Sequence, residues 1–383
     1  MIGIWYAASA LVGILLLASL ASVILGCFAT RRHFKNTTAP ALPDPVPRVS
    51  ILKPVEGAGP NTHAALVSFC RLDYPGDVEI IIGTIRRDDP VVAVVQRLKT
   101  EFPRHKISLV FAELQGANRK TSIMEAMRRE ASGEFLFFSD ADVAAPKDYL
   151  PQLVPRLAQP EVGCLTCLPR GVEARTVGGK MIALHYGFNY LPQWMLAQQT
   201  TGIHWAIGHT MAVPRAVLEK IGGFKNFLNH LADDYELGHR VSRLGLRVIV
   251  PPLLLDCVVP AESFSEAFTR MQRWKRTIRR SRGAQFPGLH GLRGILHVGL
   301  LILPLAFPAI LSGLRIATLG SIALATLGGY VGGSGLGALL FTGFALQNHA
   351  MLVRGALGVV SIALLSELGF RSIERISRLR ANE

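Results

Sequence analysis

Two aspartates one residue apart close an apolar run, Phe135-Leu136-Phe137-Phe138-Ser139-Asp140-Ala141-Asp142. A short apolar run rich in aromatic residues reads as a buried strand, and in open α/β sheets ligands bind beyond the carboxyl ends of the strands. Asp140 and Asp142 are therefore expected at a ligand edge. Hard carboxylate oxygens suit Mg²⁺ or Mn²⁺, ions that bridge a diphosphate and neutralise the charge on a departing nucleotide. A D-x-D by itself also arises as a solvated turn or a helix cap; the strand before it is what gives this one weight.

A second acidic group, Asp233-Asp234-Tyr235-Glu236, opens a helical pattern whose apolar face continues through Val241 and Leu244. The helix dipole favours acid at a first turn whatever the function, so capping accounts for one aspartate. Two adjacent aspartates with Glu236 exceed that need, and Asp234 is expected to be a base that takes the proton of an attacking hydroxyl. The third group is Arg270-Met271-Gln272-Arg273-Trp274. Its arginines can pair with a pyrophosphate through two bonds, and an indole can stack on a ligand ring. The neighbouring Lys275, Arg276, Arg279 and Arg280 read instead as side chains snorkelling toward lipid phosphates.

Smaller signals share the presumed ligand edge: Lys53-Pro54, Asp88-Asp89-Pro90 and Gly116-Ala117-Asn118-Arg119-Lys120. Asp89 is placed to accept from a base or ribose, and Lys53 or Lys120 to meet a phosphate; each type is equally at home as an ordinary loop residue. His204 and His209 flank Gly208 and are expected to pack rather than to line a pocket.

The elements that must hold these residues follow from periodicity. From Arg48 to about Pro260, strand-length apolar runs (Val49–Lys53, Val78–Thr84, Ile107–Phe111, Glu134–Ser139 and Thr210–Val213) alternate with amphipathic helices. That alternation predicts an α/β domain, residues 48–260, with a parallel sheet covered on both faces. Asp89 as N-cap and Pro90 at the first turn would start one of its helices. The stretch Trp5–Phe28 is uncharged and long enough to cross a bilayer, and the basic residues Arg31, Arg32, His33 and Lys35 after it predict an anchor with the α/β domain on the cytosolic side. A proline-rich linker, Ala39–Pro47, is expected to space the two.

Residues 261–290 are dense in Arg and Lys with Phe264, Phe268, Met271 and Trp274 at helical spacing, as in a helix lying at a membrane surface. Three apolar blocks follow, Gly294–Gly313, Ile316–Ala345 and Met351–Phe370, the last broken by Arg354, before a basic tail. The net charge of +14 accordingly points to anionic lipid headgroups or a phosphate-bearing substrate. No zinc-finger spacing, basic zipper or aromatic RNA-binding signature argues for nucleic acid. Five scattered cysteines favour a reducing compartment, and Cys164 and Cys167 fall in what reads as one buried strand, Val162–Leu168, where core packing explains them. The sequence sets no oligomeric state.

From about Val49 to Arg280 the chain resembles the ceramide glucosyltransferase family, including its bacterial members and the related hopanoid-associated glycosyltransferases. The resemblance rests on Ile51-Leu52-Lys53-Pro54 with Gly57, Leu72-Asp73-Tyr74-Pro75, Asp88-Asp89-Pro90, Asn118-Arg119-Lys120, Asp140, Asp233-Asp234-Tyr235 and the R-x-x-R-W of Arg270, Arg273 and Trp274, in that order. It implies a GT-A-type domain that inverts the anomeric centre in one displacement. The donor would be a UDP-sugar, glucose or N-acetylglucosamine, with Mg²⁺ or Mn²⁺, and the acceptor the hydroxyl of a membrane lipid such as ceramide or a hopanoid. By position it implies that Lys53, Asp89, Asn118, Lys120, Asp140 and Arg270 bind the donor, that Asp140 and Asp142 hold the metal, and that Asp234 with Arg273 and Trp274 does the chemistry. Animal members have glycine in place of Asp142 and a histidine near Cys167, so this chain implies stronger metal dependence and a different acceptor fit. A processive polysaccharide synthase shares the aspartates and an R-W motif, but its channel takes more spans than this chain displays.

Overall fold

The computed structural model describes residues 21–35, 38–282, 303–329 and 334–381. The chain divides into two compact units, Met1–Leu292 and Arg293–Glu383. In the first, β1 (Val49–Pro54), β2 (Val78–Thr84), β3 (Lys106–Phe111) and β4 (Phe135–Ser139) lie parallel in the order β3-β2-β1-β4. Their crossovers are the helices Thr62–Cys70, Val91–Glu101 and Arg119–Glu130. These are the first four of the five expected strands, and the fifth, at Thr210, is present as well. The second helix starts at Val91 with Pro90 in the capping place, one residue later than expected, and the Asp89 carboxylate still accepts from the Val91 N–H at 2.9 Å.

Beyond β4 the chain forms β5 (Val143–Ala144), β6 (Val162–Thr166), β7 (Leu168–Val172), β8 (Thr210–Pro214), β9 (Arg247–Ile249) and β10 (Leu254–Val258). Here the expectation of a wholly parallel sheet is corrected. β8 runs antiparallel beside β4, β6 antiparallel to β8, and β9 parallel to β6, which gives seven strands in the order β3-β2-β1-β4-β8-β6-β9. β5, β10 and β7 make a separate three-stranded sheet. The segment Val162–Leu168 is likewise two strands, not one: the chain leaves the large sheet after Thr166 and enters the small one at Leu168, with Cys167 at the corner. Cys164 and Cys167 are free and fully buried, and burial pushes both thiols up.

Alternate residues of the central strands feed opposite faces, as the pleat requires. Leu52, Ile81, Leu136 and Phe138 join one core with Ile123, Met127 and Leu237, while Ile51, Ile80, Ile82 and Phe137 join the other with Leu66, Val95 and Tyr149. A smaller core of Ile182, Tyr186, Cys257, Val259, Ala267 and Met271 seats the helix Phe264–Arg282 against Val177–Leu184 and the small sheet. The proline-rich segment is no free spacer, because Leu42 packs on the second core and the Pro47 carbonyl accepts from Tyr74 Oη at 2.7 Å. The Trp5–Phe28 anchor falls largely outside the described residues; of it, residues 21–28 are helical and continue to residue 33, with Ile24, Leu25 and Phe28 exposed.

The second unit contains the helices Leu303–Gly328, Leu336–Ala345 and His349–Ala381. Its apolar blocks are thus divided differently from the sequence expectation. Gly313 and Ile316 lie within one helix, and Arg354 does not interrupt the last one. Among the described residues, His349–Ile373 is the helix long and apolar enough to cross a bilayer. Arg315 pairs with Glu367, which also accepts from Arg371 at 2.8 Å.

At the amino ends of the central strands one carboxylate ties four segments together. Glu79 of β2, almost fully buried, accepts from Ser50 Oγ of β1 at 2.6 Å, from the Ser132 N–H at 2.5 Å and its Oγ at 2.8 Å, and from Lys106 of β3 at 2.7 Å. Burial alone would raise its pKa, but these donors hold it down to about 2. A depressed folded-state pKa gives stability that is present above the ordinary glutamate range and is lost as pH falls toward 2. With a discount for the exposed Lys106, that contribution is about 2 kcal/mol. Glu79→Gln should therefore lower stability by about 2 kcal/mol at pH 7, and its gap to the parent should narrow below about pH 4; unfolding of the detergent-solubilised protein followed by fluorescence across pH measures both.

Candidate active site

The turn after β4 carries Asp140 and Asp142 to the carboxyl edge of the sheet. It has a buried support. Lys53, at the end of β1 and wholly inaccessible, donates to the carbonyls of Asp140 at 2.5 Å and Val143 at 3.2 Å and to Ser139 Oγ at 3.4 Å, with its ammonium 4.1 Å from the centre of the Phe69 ring. Burial pushes the ammonium down to about 7 against the pull of Asp140 and Asp142. All three of its donor positions are used within the fold, so the expectation that Lys53 meets a phosphate is replaced by a positioning role.

Lys120, on the first turn of the helix Arg119–Glu130, is the lysine that reaches the open side of the turn. Its ammonium pairs with Asp140 Oδ1 at 2.6 Å and donates to the Gly208 carbonyl at 3.3 Å, with about a third of the side chain exposed. Burial would lower its pKa, but Asp140, Asp233 and Asp234 together raise it. Burial would likewise raise Asp140, and the Lys120 ammonium beside it holds the carboxyl below the usual range. Asn118 caps this helix, accepting from the Thr121 N–H at 3.1 Å and donating to the His230 carbonyl at 2.8 Å. Both ends of its amide are engaged in the fold, which corrects the expectation that it binds donor.

The base candidate arrives from the other half of the sheet. The helix Asp233–Arg243 presses so closely on the irregular segment before β8 that a Cβ on Gly238 would lie 2.3 Å from the Ala206 nitrogen, and only glycine permits that approach. The approach sets Asp234 beside Gly208, whose N–H donates to Asp234 Oδ2 at 2.9 Å while its carbonyl receives Lys120. A Cβ on Gly208 would stand 3.3 Å from both Asp234 Oδ2 and Lys120 Nζ. Burial, with Asp233 next in effect, pushes Asp234 up to about 6. Asp233 is buried, and its Oδ2 makes no hydrogen bond.

The remaining candidates divide. The Asp89 carboxylate accepts from the Gly57 N–H at 2.9 and 3.1 Å, which holds the loop after β1; a carboxylate retains further lone pairs for a ligand beyond these contacts. Arg270 pairs with Glu262, so the expected phosphate contact is already answered within the chain. Arg273 is exposed with no carboxylate at ion-pair distance among the described residues. Trp274 stacks on His185 at 5.7 Å and Tyr186 at 5.8 Å. His204 is exposed, whereas His209, expected to pack, stands at the acidic turn: its carbonyl accepts from the Asp140 N–H at 3.0 Å and its Nε2 meets Tyr186 Oη at 3.1 Å. Burial lowers its pKa against the pull of Asp140 and Asp142.

Of the aromatic wall, sequence reasoning singled out Trp274 and missed the rest. Trp194, Trp205, Tyr235 and Trp274, with Ile278 and Asp234, surround a cavity of about 100 Å³. Tyr186 lies on a π-helical turn, His185–Tyr190, a rare geometry that carries no sequence signature. A larger cavity, about 510 Å³, opens at the amino ends of β1 to β3, and neither Asp140, Asp142 nor Asp234 lines it.

Asp140 and Asp142 fit a divalent cation of the magnesium type, which binds through one or two carboxylates and completes its shell with phosphate oxygens and water. The Asp142 carboxylate accepts from the Cys257 thiol at 3.4 Å. Among the described residues no third His, Cys, Asp or Glu joins Asp140 and Asp142 in a closed set.

Fold and site together define a glycosyltransferase-like α/β domain. Residues 11–329 match the family described as Glycosyl transferase family 21, and the chain belongs to that family. Among curated relatives it is 24% identical over 238 residues to ceramide glucosyltransferase 1 of Caenorhabditis elegans, covering 61% of this chain and 50% of that protein. It is 27% identical over 227 residues to the beta-monoglucosyldiacylglycerol synthase of Synechocystis sp., covering 57% and 45%. The chain thus spans about half the length of the curated relatives it matches. Its fold is shared with the mannosyltransferase PcManGT from Pyrobaculum calidifontis, solved with GDP-Man and Mn²⁺, at a TM-score of 0.56 and 24% identity over 92% of this chain and 98% of that one.

The raised Asp234 carboxyl gives a pH signature. If Asp234 serves as the base of a sugar transfer, it works only when ionised, and kcat/KM should fall as pH drops through about 6. Asp233→Asn removes the neighbouring negative charge, and the acid limb should move to lower pH; a pH profile of sugar transfer reads the shift.

Proposed function

We propose that this protein transfers one sugar from a UDP-sugar to the hydroxyl of a neutral membrane lipid, with inversion. The observation that supports this most is the convergence of Asp140 and Asp234 on one ammonium, with an aromatic cavity on the far side of Asp234. The cleft offers a diphosphate position beside Lys120, Asp140 and Asp142, and Arg273, exposed and without a carboxylate partner among the described residues, is the second cation this reading assigns to those phosphates. A bound Mg²⁺ or Mn²⁺ would supply charge to the leaving diphosphate. The acceptor hydroxyl sits in the aromatic cavity. Asp234 takes its proton as the oxygen attacks the anomeric carbon, the bond from that carbon to the diphosphate oxygen breaks, and the leaving charge meets Lys120 and Arg273.

The cavity favours a small neutral end group. Asp234 is the only charged residue lining it among the described residues, and next to that carboxylate a phosphate-headed acceptor would meet repulsion. Apart from Asp234 its lining is aromatic, aliphatic or hydroxyl-bearing, which suits an uncharged alcohol. The helix Phe264–Arg282 leaves Phe264 and Phe268 exposed and stacked at 6.2 Å, beside the basic residues that follow, and we infer that it lies on the cytosolic face of the bilayer among anionic headgroups. Glucose or N-acetylglucosamine is the sugar we expect, and a ceramide or hopanoid the acceptor.

Detergent-solubilised protein given a panel of UDP-sugars and lipid alcohols, followed by mass spectrometry, should yield a glycolipid with one added sugar. The product should vanish with EDTA and fall about a thousandfold or more in Asp234→Asn, in line with the loss of a general base and its positioning. Polymer, or equal product from the variant, would overturn the reading.

A further inference from the structure

Lys120 is the one described side chain that donates to the Asp140 carboxylate, and it does so on an oxygen that a divalent ion would need. The same ammonium is the counter-charge for Asp233 and Asp234 across the cleft. Two cations on one carboxylate repel strongly where solvent is partly excluded. Metal entry at Asp140 therefore requires the ammonium to move. The structure offers it somewhere to go on the acidic side, where the Asp233 Oδ2 is buried without a hydrogen bond, and a bound diphosphate offers it a second anion in the cleft. Gly208 leaves the path open, since its missing Cβ would stand 3.3 Å from the ammonium.

On the reading of this cleft as a nucleotide-sugar site, we propose that Lys120 is an internal cation that keeps bare metal off Asp140, so that divalent ion and nucleotide bind as a cooperative pair. In the donor-free protein the lysine neutralises Asp140. When nucleotide arrives, the ammonium turns to the diphosphate and the ion takes the carboxylate it vacates. Lys120 is then a positioning residue for the metal as well as a diphosphate contact.

The test is Mn²⁺ binding to the full chain in detergent, followed by electron paramagnetic resonance with and without UDP. The parent should bind Mn²⁺ about tenfold or more tightly when UDP is present. Lys120→Met should bind Mn²⁺ alone about tenfold more tightly than the parent does and lose most of the UDP enhancement, while Lys120→Arg, which keeps the charge, should resemble the parent. Should the methionine variant fail to fold, as its thermal unfolding would reveal, Lys120→Gln carries the same expectation. Unchanged or weaker binding of Mn²⁺ alone in the neutral variants overturns the proposal. Failure of the parent to bind Mn²⁺ even with UDP overturns the nucleotide-sugar reading itself.

Discussion

One positive charge set among three negative ones organises this cleft. Asp140 comes from the end of β4, and Asp233 and Asp234 from the first turn of a helix almost a hundred residues further on; a single ammonium, Lys120 Nζ, stands within reach of their fields. Unit charges about 4 Å apart interact by about 4 kcal/mol at the effective dielectric of a protein surface region, so three carboxylates could not gather there uncompensated. The balance is deliberately incomplete: Asp140 is held fully ionised by its direct contact, while Asp234, one backbone link further away, is left with a raised pKa. Burial and the neighbouring Asp233 raise Asp234, while against burial the direct contact with Lys120 lowers Asp140, so two carboxylates of one cleft differ in their readiness to hold a proton.

That arrangement depends on backbone rather than on side-chain reach. Gly208 sits between the two acidic groups, its N–H on Asp234 and its carbonyl on Lys120, just before β8 enters the sheet antiparallel to β4. Because β8 runs against β4, its beginning lies beside the end of β4, and the Asp140 N–H bonds to the His209 carbonyl. A wholly parallel sheet would have put the start of β8 at the opposite edge, away from Asp140. Beneath the turn, Lys53 fixes the carbonyls of Asp140 and Val143, so the carboxylates are presented from a floor whose lysine has all three donor positions used.

What the sequence revealed follows the same division. Strands β1 to β4 were legible because a buried parallel strand leaves a continuous apolar run, and Asp140, Asp142 and Asp234 were legible because acid at the end of such a run or in excess at a helix start lacks a cheap structural account. The antiparallel insertion of β8 was not, since strand direction is set by a tertiary route that periodicity does not encode. Lys53, Asn118 and Arg270 were misjudged for a related reason: a lysine, an amide or an arginine near a ligand edge looks the same in sequence whether its partner is a phosphate or a carbonyl of its own chain. His209, Trp194 and Trp205 escaped because they join Trp274 only through the fold, across a π-helical turn with no local signature.

The helix Phe264–Arg282 connects these local facts to the proposed acceptor. Successive residues on a helix point about 100° apart. Trp274 therefore turns inward onto Tyr186 and the cavity while Arg273 stays exposed, and both move if the helix moves. Ala267 and Met271 anchor the same helix in the small core, leaving Phe264 and Phe268 outward. If those phenylalanines enter a bilayer, the depth of that insertion fixes the height of Trp274 and hence of the cavity beside Asp234. On the proposed reading, the lipid surface itself then sets which atom of an acceptor lies level with the base: a hydroxyl near the headgroup boundary is presented to Asp234, whereas one carried outward on an added sugar is displaced from it. Membrane attachment and acceptor selection become two consequences of one helix's seating, which is a reason for the arginine–tryptophan pair to sit on this helix rather than on the α/β core.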